Sequence, residues 1–507
     1  MKKLRVVILK PSKYGPNGHV ERFRWGFMPN STVPYLRSMT PRVVEGHTVE
    51  TFAIDEYVQS DLDYLKLLHT KDPTLLAIVG VQSHQLHRSL DLAAYARRHG
   101  IRNCIIGGPH CMTCDTAPLQ NRGVSFSLAE AEMVWPAILS DAANDRLQPV
   151  YGEGQRWQQQ LDSPVLTPPS GRDLRRYIVP MLGVYPARGC PFNCNFCSVI
   201  KIAGRKIRSQ PLEITLASLR AARAAGIRLI MFVSDNFNKY QEAAELLQAM
   251  IDERIRIPFF VQCDTQIAHQ PELVDLLARA GCFQIFLGVE SFNRKTLRDA
   301  KKYQNHPEDY TMIVALCRSR GIGIHFSNII GFPDDTGESV LEHLHAVQAM
   351  APDVASFYIL TPIPGTEQYD DFLAADLITE TNLDRYDGSC PTWRHPHLRP
   401  EELRKLLFYC YRKFYSTSHV IRRSLERFYR KADPFELLIT SGCSFFSRLS
   451  AFKQVHPMSG GIARLHLDGV LDYIDLRREL FGFTHAPLPK SLRLSPADES
   501  LNRLAKL

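Results

Sequence analysis

Cys190-Pro-Phe-Asn-Cys194-Asn-Phe-Cys197, directly after Tyr185-Pro-Ala-Arg-Gly189, is the stretch around which the rest of the chain is arranged. Three cysteines spaced C-x3-C-x2-C on one short loop can bring three thiolates to three irons of a cubane cluster. Such clusters are commonly held by four thiolates. This loop supplies three, so one iron would keep an open coordination position where a small molecule can bind and be reduced. Two plainer readings stand beside it: cysteine is often a small buried hydrophobe, and C-x-x-C can belong to a zinc site. A zinc site wants a second local pair of Cys or His, and none follows at zinc-ribbon spacing. With 12 cysteines in 507 residues, chance placement gives this triple in about one such chain in a hundred or fewer.

A chain of 507 residues is too long for one ordinary core and predicts two or three domains. Its 45% hydrophobic and 22% charged content are those of a soluble globular protein. The net charge of +8 permits an anionic substrate. No dense Lys/Arg tract or aromatic-interleaved basic run calls for nucleic acid, and none is expected as a partner. Met1-Lys-Lys-Leu-Arg-Val-Val-Ile-Leu-Lys10 begins like a signal peptide, but its apolar run before Lys10 is too short for a secretory core. No stretch approaches the roughly 20 apolar residues of a transmembrane segment. The cysteines do not form a regular disulfide framework, so a reducing compartment, the cytoplasm, is expected.

Leu4-Arg-Val-Val-Ile-Leu9 reads as a buried parallel strand. A long loop rich in Gly, Pro and Asn follows from Pro11 to Pro41. Leu75-Leu-Ala-Ile-Val-Gly-Val81 is a second strand, feeding a helix with Leu86, Leu90, Leu92 and Ala93 on its apolar face and Gly100 at its end. Cys104-Ile-Ile-Gly-Gly108 is a third strand, stopping before Pro109-His110. This punctuation predicts a Rossmann-like, doubly wound parallel sheet over 1–150, with ligands outside the carboxyl ends at Gln82-Ser83-His84 and Gly107-Gly-Pro-His110. Cys111-Met-Thr-Cys114 has no partner pair and reads as structural thiols. Residues 151–180, rich in Gln, Pro, Ser and Gly, read as a linker.

Over 181–385 strands and helices alternate. Leu182–Tyr185 is a strand with the cysteine loop at its carboxyl end. Ile227–Val233 ends in Ser234-Asp-Asn236, and Pro258–Cys263 ends in Asp264. Phe283–Val289 ends in Glu290-Ser291, Ile322–Ile330 in Gly331-Phe-Pro333, and Ala355–Leu360 in Thr361-Pro-Ile-Pro-Gly-Thr366. Helices are expected at 211–225, 240–255, 271–280, 306–320 and 337–350. Six strand–helix units with polar or glycine residues at every carboxyl end predict a partial (β/α)6 barrel, whose chemistry sits at that end. A lone Asp or Glu there is otherwise often a helix N-cap, and His325 reads as core or barrel lining. From 386 to 507 the pattern turns amphipathic and mainly helical. Glu401–Tyr415 and Val420–Tyr429 interleave apolar residues with Lys and Arg, as a solvated basic face or a surface that can lie at a membrane interface. This segment is expected to cap the barrel mouth.

The cysteine loop, with Gly189 before the first cysteine and Phe196 before the third, closely resembles the signature loop of the radical S-adenosylmethionine (SAM) superfamily. The preceding domain, with its Gly-Gly-Pro-His turn, resembles the cobalamin-binding domain of one large subfamily, where glycines let backbone approach a bulky corrin. The match departs in two places. There is no D-x-H-x-x-G stretch, so ligation of cobalt by a protein histidine is not supported. The acidic turn usually reading Gly-Glu-Gly-Glu is Ala129-Glu-Ala-Glu132. A Rossmann-like domain holding another ligand, or none, stays open.

The resemblance implies a 4Fe–4S cluster on Cys190, Cys194 and Cys197, SAM on its open iron, and cobalamin near Gln82, Gly107, Gly108, Pro109 and His110. It places Asp235 and Asn236 at the SAM amino group, and Glu290 with Ser291 at the ribose. Phe196 and the Ile363–Gly365 turn fall at the adenine. The implied activity is methylation of an unactivated carbon of a small-molecule or lipid substrate through a 5′-deoxyadenosyl radical and methylcobalamin, with an electron donor such as flavodoxin or ferredoxin. The protein residues position the cofactors and exclude water; the hard chemistry is the cofactors' own. Alternatives are a radical SAM oxidative cyclase or rearrangement enzyme, and a non-catalytic corrinoid-binding protein, which gives the cysteine loop no task.

Overall fold

The structure is a computed structural model and describes residues 2–15, 20–59, 71–429, 434–457 and 461–465. The apolar run at the N-terminus forms β1 (Lys3–Lys10), with Leu4, Val6, Ile8 and Leu9 fully buried. Around it lie β2 (Arg22–Gly26), β3 (Val43–Val44), β4 (His47–Asp55), β5 (Thr74–Ile78), β6 (Asn103–Gly107), β7 (Ser125–Ser127) and β8 (Val150–Tyr151). The seven-stranded sheet runs β3-β4-β1-β5-β6-β7-β8. Its neighbours are parallel except β3, which pairs antiparallel with β4. Helix Leu86–Arg98 packs on one face, and helices Thr32–Met39 and Ala131–Ala143 on the other. The winding reverses between β1 and β5, the position where such sheets open a crevice at their carboxyl ends.

The segment expected as a long loop carries β2 and the helix Thr32–Met39, whose Val33 and Leu36 are buried against this sheet and whose Tyr35 packs with Leu182 and Val184 further along the chain. Its short apolar stripe is hidden in sequence by the Pro and Asn around it.

The second sheet contains β9 (Leu182–Val184), β12 (Ile230–Phe232), β13 (Phe259–Cys263), β14 (Cys282–Glu290), β15 (Gly323–Ile330) and β16 (Val354–Ile359). A small antiparallel pair, β10 (Ala187–Arg188) and β11 (Arg208–Ser209), flanks the cysteine loop. The six strands are parallel and lie in chain order, β9-β12-β13-β14-β15-β16, with no ladder joining β16 to β9. Each strand's carboxyl end therefore points to the same side.

The free edge of β16 is covered by side chains. The Phe357 N–H donates to Tyr411 Oη at 3.1 Å and the Ala355 N–H to Tyr415 Oη at 3.1 Å, while the Tyr415 hydroxyl donates back to the Ala355 carbonyl at 2.9 Å. Helix Pro400–Phe414 thus runs along this edge, not simply over a mouth. Helices Thr417–Tyr429 and Pro434–Phe452 follow, and then β17 (Gly461–Leu465) returns to pair antiparallel with β2. Among the described residues the C-terminal region is accordingly helical with one strand returned to β2; residues 430–433, 458–460 and 466–507 of the expected cap lie outside the described residues. No helix among the described residues is long and apolar enough to cross a membrane.

Candidate active site between the two sheets

The cysteine loop follows β10 at the carboxyl side of the second sheet and is pinned from several directions. Gly189 has φ +109°, and a Cβ there would lie 2.3 Å from the Lys206 carbonyl oxygen, so the turn into the loop requires glycine. Its N–H donates to Asp235 Oδ2 at 2.8 Å, and the Cys190 N–H to the Gly204 carbonyl at 3.1 Å. Asn195 donates its N–H to Ala300 O at 3.2 Å and its side-chain amide to Asp299 O at 3.1 Å; its own carbonyl accepts from the Gln368 N–H at 3.0 Å.

Two amides aim at the sulfurs. Asn236 Nδ2 lies 3.5 Å from Cys190 Sγ, and Gln304 Nε2 lies 3.6 Å from Cys194 Sγ. Burial pushes the Cys197 thiol up to about 12 and the Cys190 thiol up as well. Without a cation these groups are neutral; the charge of bound iron would hold them as thiolates. Among the described residues no three His, Cys, Asp or Glu side chains are gathered as ligands of one metal ion. A cubane spreads its cysteines over separate irons, so this bears on single-ion sites, including one at Cys111 and Cys114, whose thiols are buried.

Glu290 closes β14 with φ +62°, where the β14–β15 register shifts. A non-glycine residue in this region is strained, and such strain collects at functional sites. Its Oε1 accepts from Lys302 Nζ at 2.8 Å, and that ammonium stands 5.7 Å from the Phe196 ring centroid. Burial works against the Lys302 charge, but Glu290 and the sulfurs of Cys194 and Cys197 outweigh it and raise its pKa. Ser291 turns inward instead, its Oγ accepting from the Asn293 N–H at 3.1 Å. Phe196 packs with Phe332, Leu360 and Trp393 near the ends of β15 and β16. The Ile363–Gly365 turn abuts the first domain, since a Cβ on Gly365 would lie 2.5 Å from the Thr113 carbonyl oxygen.

A cavity of about 320 Å³ lies between the two sheets. Gly107, Gly108 and Pro109 line it from the first sheet, Trp135 and Ile138 from the helix Ala131–Ala143, and Arg188 and Asp235 from the cysteine loop's surroundings. Gly108 has φ +138°, and a Cβ there would sit 2.2 Å from the Val81 nitrogen. Only glycine closes this strand end, and it leaves an apolar slot that fits a bulky ligand against bare backbone. Asp235 is half-buried at the slot's rim, its carboxyl pushed up by loss of water contact against the pull of the Gly189 N–H, Arg188 and Arg208. Gln82 lines a neighbouring cavity of about 350 Å³ with Lys10, Asp55, His84 and Tyr358. His110 is buried beneath the loop, its Nδ1 3.1 Å from Ser83 Oγ.

Sequence reasoning missed Arg188, Arg208 and Lys302. Glu130 accepts from Arg208 at 2.7 and 2.8 Å and pairs with Arg188 at 3.3 Å, while Glu132 accepts from Arg188 at 2.6 Å. The Ala129–Glu132 turn is therefore the brace that holds the cysteine loop's entry to the first domain. The signal was two arginines flanking the loop and two glutamates on a turn, separated by more than fifty residues.

A three-cysteine loop at the carboxyl end of a parallel sheet, beside a glycine-floored slot in a second one, is an arrangement that can set an iron–sulfur cluster against another bound group. Residues 184–347 match the family model of the radical SAM superfamily, so this part of the chain is a radical SAM domain. The chain is 24% identical over 400 residues to the bacteriochlorophyllide d C-8(2)-methyltransferase of Chlorobaculum tepidum, across 75% of this chain and 87% of that protein. Its fold is similar to TsrM from Kitasatospora setae, a radical S-adenosylmethionine methyltransferase solved with cobalamin and a 4Fe–4S cluster, with TM-score 0.59 at 18% identity over 74% of this chain and 78% of that one. It is also similar to OxsB, a cobalamin-dependent S-adenosylmethionine radical enzyme, with TM-score 0.57 at 13% identity over 100% of this chain and 83% of that one.

Proposed function

We propose that the protein is a cobalamin-dependent radical SAM methyltransferase acting on an unactivated carbon. The observation that supports this is the slot lined jointly by Gly107–Pro109 and by Arg188 and Asp235, which leaves room for a second cofactor beside the cysteine loop. When bound, cluster and SAM together supply a deoxyadenosyl radical, and the corrinoid supplies a transferable methyl group.

The chain's own residues hold and orient. Cys190, Cys194 and Cys197 hold the cluster, and the amides of Asn236 and Gln304 donate to its sulfur ligands. Glu290 offers a carboxylate at the ribose position, steadied by Lys302, and Phe196 with the Ile363–Gly365 turn supplies apolar surface for the adenine. Gly107, Gly108 and Pro109 bring backbone to the corrinoid, with Gln82 at the adjoining opening and His110 supporting the loop from below. Residues 1–150, 181–385 and 386–507 act as corrinoid-binding, radical-forming and substrate-covering parts, joined by 151–180, and the second sheet works as a partial barrel. A reductant such as flavodoxin or ferredoxin feeds the cluster, in the cytoplasm.

The concave side of the second sheet holds a cavity of about 240 Å³ lined by Phe27, Met28, Met231, Phe260, Phe286 and Tyr358 among others. This lining supports a small-molecule or lipid substrate with a substantial apolar part. Oxidative cyclisation or rearrangement uses the same groups and is separated by its products.

The test is anaerobic reconstitution with iron, sulfide, SAM and cobalamin. Methyl transfer yields both deoxyadenosine and S-adenosylhomocysteine; deoxyadenosine alone favours cyclisation or rearrangement. The Cys194→Ala variant should lose iron and SAM cleavage, and retention of both would overturn the reading.

A further inference from the structure

We propose that the helical hairpin formed by Thr417–Tyr429 and Pro434–Phe452 docks the protein on an anionic lipid surface. On the first helix Ile421, Leu425 and Phe428 are exposed, and on the second Leu438, Phe445, Leu449 and Phe452. The two helices are joined by four residues and meet at Ser424 and Ser441, whose Oγ atoms lie 2.8 Å apart, so they run antiparallel.

At about 100° per residue, both exposed sets fall on the same side of that contact. Measured from Ser424, the three side chains of the first helix span about 40° to 100°; measured from Ser441, the four of the second span about 20° to 80°. In an antiparallel pair these sectors merge into one face. Seven large apolar side chains on one face form a contiguous exposed patch of the kind that marks an interaction surface.

The charge around the face favours lipid over another apolar protein surface. Residues 417–453 hold seven Lys and Arg against three Asp and Glu, a net +4, half of the whole chain's +8. Arg423 is spent on the buried Asp353, but Arg422 has 59% of its side chain exposed, and Lys413 and Lys453 are exposed at the margins. The Arg448 guanidinium lies 5.1 Å from the Phe452 ring centroid, at the edge of the stripe. An apolar face rimmed by cations is the pattern of a helix lying in an anionic interface. The inner face of helix Pro434–Phe452, with Ile439, Thr440, Cys443 and Ser447, lines the 240 Å³ cavity of the second sheet. One helix therefore separates the proposed lipid surface from an apolar interior chamber.

The experiment is co-sedimentation of the full-length holoenzyme with extruded phosphatidylcholine vesicles, with and without phosphatidylglycerol. The expected result is binding to the anionic vesicles, weakened by high salt, and reduced about tenfold or more in the Phe445→Asp/Leu449→Asp variant. A second variant, Ile421→Asp/Leu425→Asp, should lose binding likewise, with melting curves checking that each still folds. The charge variant Arg422→Glu/Lys453→Glu should also bind at least tenfold more weakly. Failure of the wild type to bind anionic vesicles overturns the proposal, as does undiminished binding of a folded variant. It is equally overturned if the wild type is a dimer that Phe445→Asp/Leu449→Asp makes monomeric, or if binding requires removal of residues 466–507, for then a second copy or that segment occupies the face. None of these outcomes depends on SAM cleavage, so they are distinct from failure of the proposed activity.

Discussion

Arg188 Nη2 donates to Glu132 Oε1 at 2.6 Å, joining the residue before the cysteine loop's leading glycine to the first turn of a helix on the other sheet. Glu132 is almost wholly buried, and the Tyr35 hydroxyl also donates to it. The distance between the cluster loop and the first domain is thus set by a paired charge in a dry place. Burial alone would push the Glu132 carboxyl up, but the charge and hydrogen bond of Arg188 hold it below its ordinary 4.5.

Replacing Arg188 by Met should cost about 3–5 kcal/mol, because it strands a buried carboxylate. The pH dependence has a definite sign. A carboxyl with a depressed folded pKa stabilises fully above its unfolded value and loses that contribution as pH falls through the folded one. The gap in thermal stability between wild type and Arg188→Met should therefore be full at neutral pH, begin to narrow above 4.5 as the stranded carboxyl of the variant takes up a proton, and go on narrowing below 4.5 as the wild type does so too. A gap that does not change with pH would show that packing, not charge, is what Arg188 contributes.

Asn236 and Gln304 each direct an amide N–H at a cysteine sulfur, 3.5 and 3.6 Å away. Hydrogen bonds to cluster sulfurs stabilise the more negative, reduced state and so raise the reduction potential. Asn236→Ala and Gln304→Ala should keep their iron and shift the cluster to lower potential in an electron paramagnetic resonance titration. Loss of iron in place of a shift would mean the amides hold the loop rather than tune it.

Gly288 is the glycine to change. A Cβ there would lie 2.5 Å from Glu290 Oε1 and 2.9 Å from Lys302 Nζ, while its backbone is free of positive φ. Gly288→Ala should leave the strand intact and push the pair apart. Losing a hydrogen bond from a charged group is worth about 1.5–3 kcal/mol, so SAM affinity should fall about tenfold to a hundredfold, and Glu290→Gln should do the same. Equilibrium binding of SAM to the reconstituted protein checks this; unchanged affinity in both variants would remove Glu290 from the SAM site.

The sequence patterns that proved legible are those set by local physics. The carboxyl ends of the strands in the second sheet lay within a residue of expectation, because buried apolar runs are cut sharply by Asp264, Gly331 and Thr361, whereas the strand expected from Ile227 starts only at Ile230. The helices 271–280 and 337–350 were bounded as observed, since a proline starts one and a Thr336 cap starts the other. What stayed hidden is non-local. β4 was missed because Thr48, Glu50 and Thr51 dilute a strand that lies second from the edge and is only half covered. The Arg188–Glu132 pair, the Lys302–Glu290 pair and the tyrosines on β16 leave no periodic trace, because each depends on where distant segments meet.

His110 gives a second pH test. Burial, with a smaller push from His87, lowers its pKa from 6.5 to about 3, so the native state holds it neutral. The unfolded chain takes up a proton below about 6.5 while the folded one does not, so stability falls as pH drops through that window. His110→Gln should make the acid-side loss of melting temperature shallower between about pH 6 and 4, leaving the neutral-pH value little changed. An unchanged slope would mean the imidazole is not kept neutral in the native state.

Tyr411 and Tyr415 test how the open edge of the second sheet is maintained. A strand edge presents unpaired N–H and C=O groups, and here both tyrosines are buried against β16. Tyr415 serves two backbone groups, the N–H and the carbonyl of Ala355, whereas Tyr411 accepts from the Phe357 N–H. The Phe357 carbonyl does not depend on Tyr411, since His456 Nε2 lies 2.8 Å from it, and 3.2 Å from Tyr411 Oη. A buried backbone group left unsatisfied costs about 1–3 kcal/mol. Tyr415→Phe should therefore destabilise the protein by about twice as much as Tyr411→Phe, each in that range per stranded group. Because phenylalanine keeps the ring over the edge, the denaturant midpoint should fall while the slope of the transition stays constant and the protein remains free of aggregation. Equal losses from the two variants would show that the rings, and not the hydroxyls, hold the edge closed.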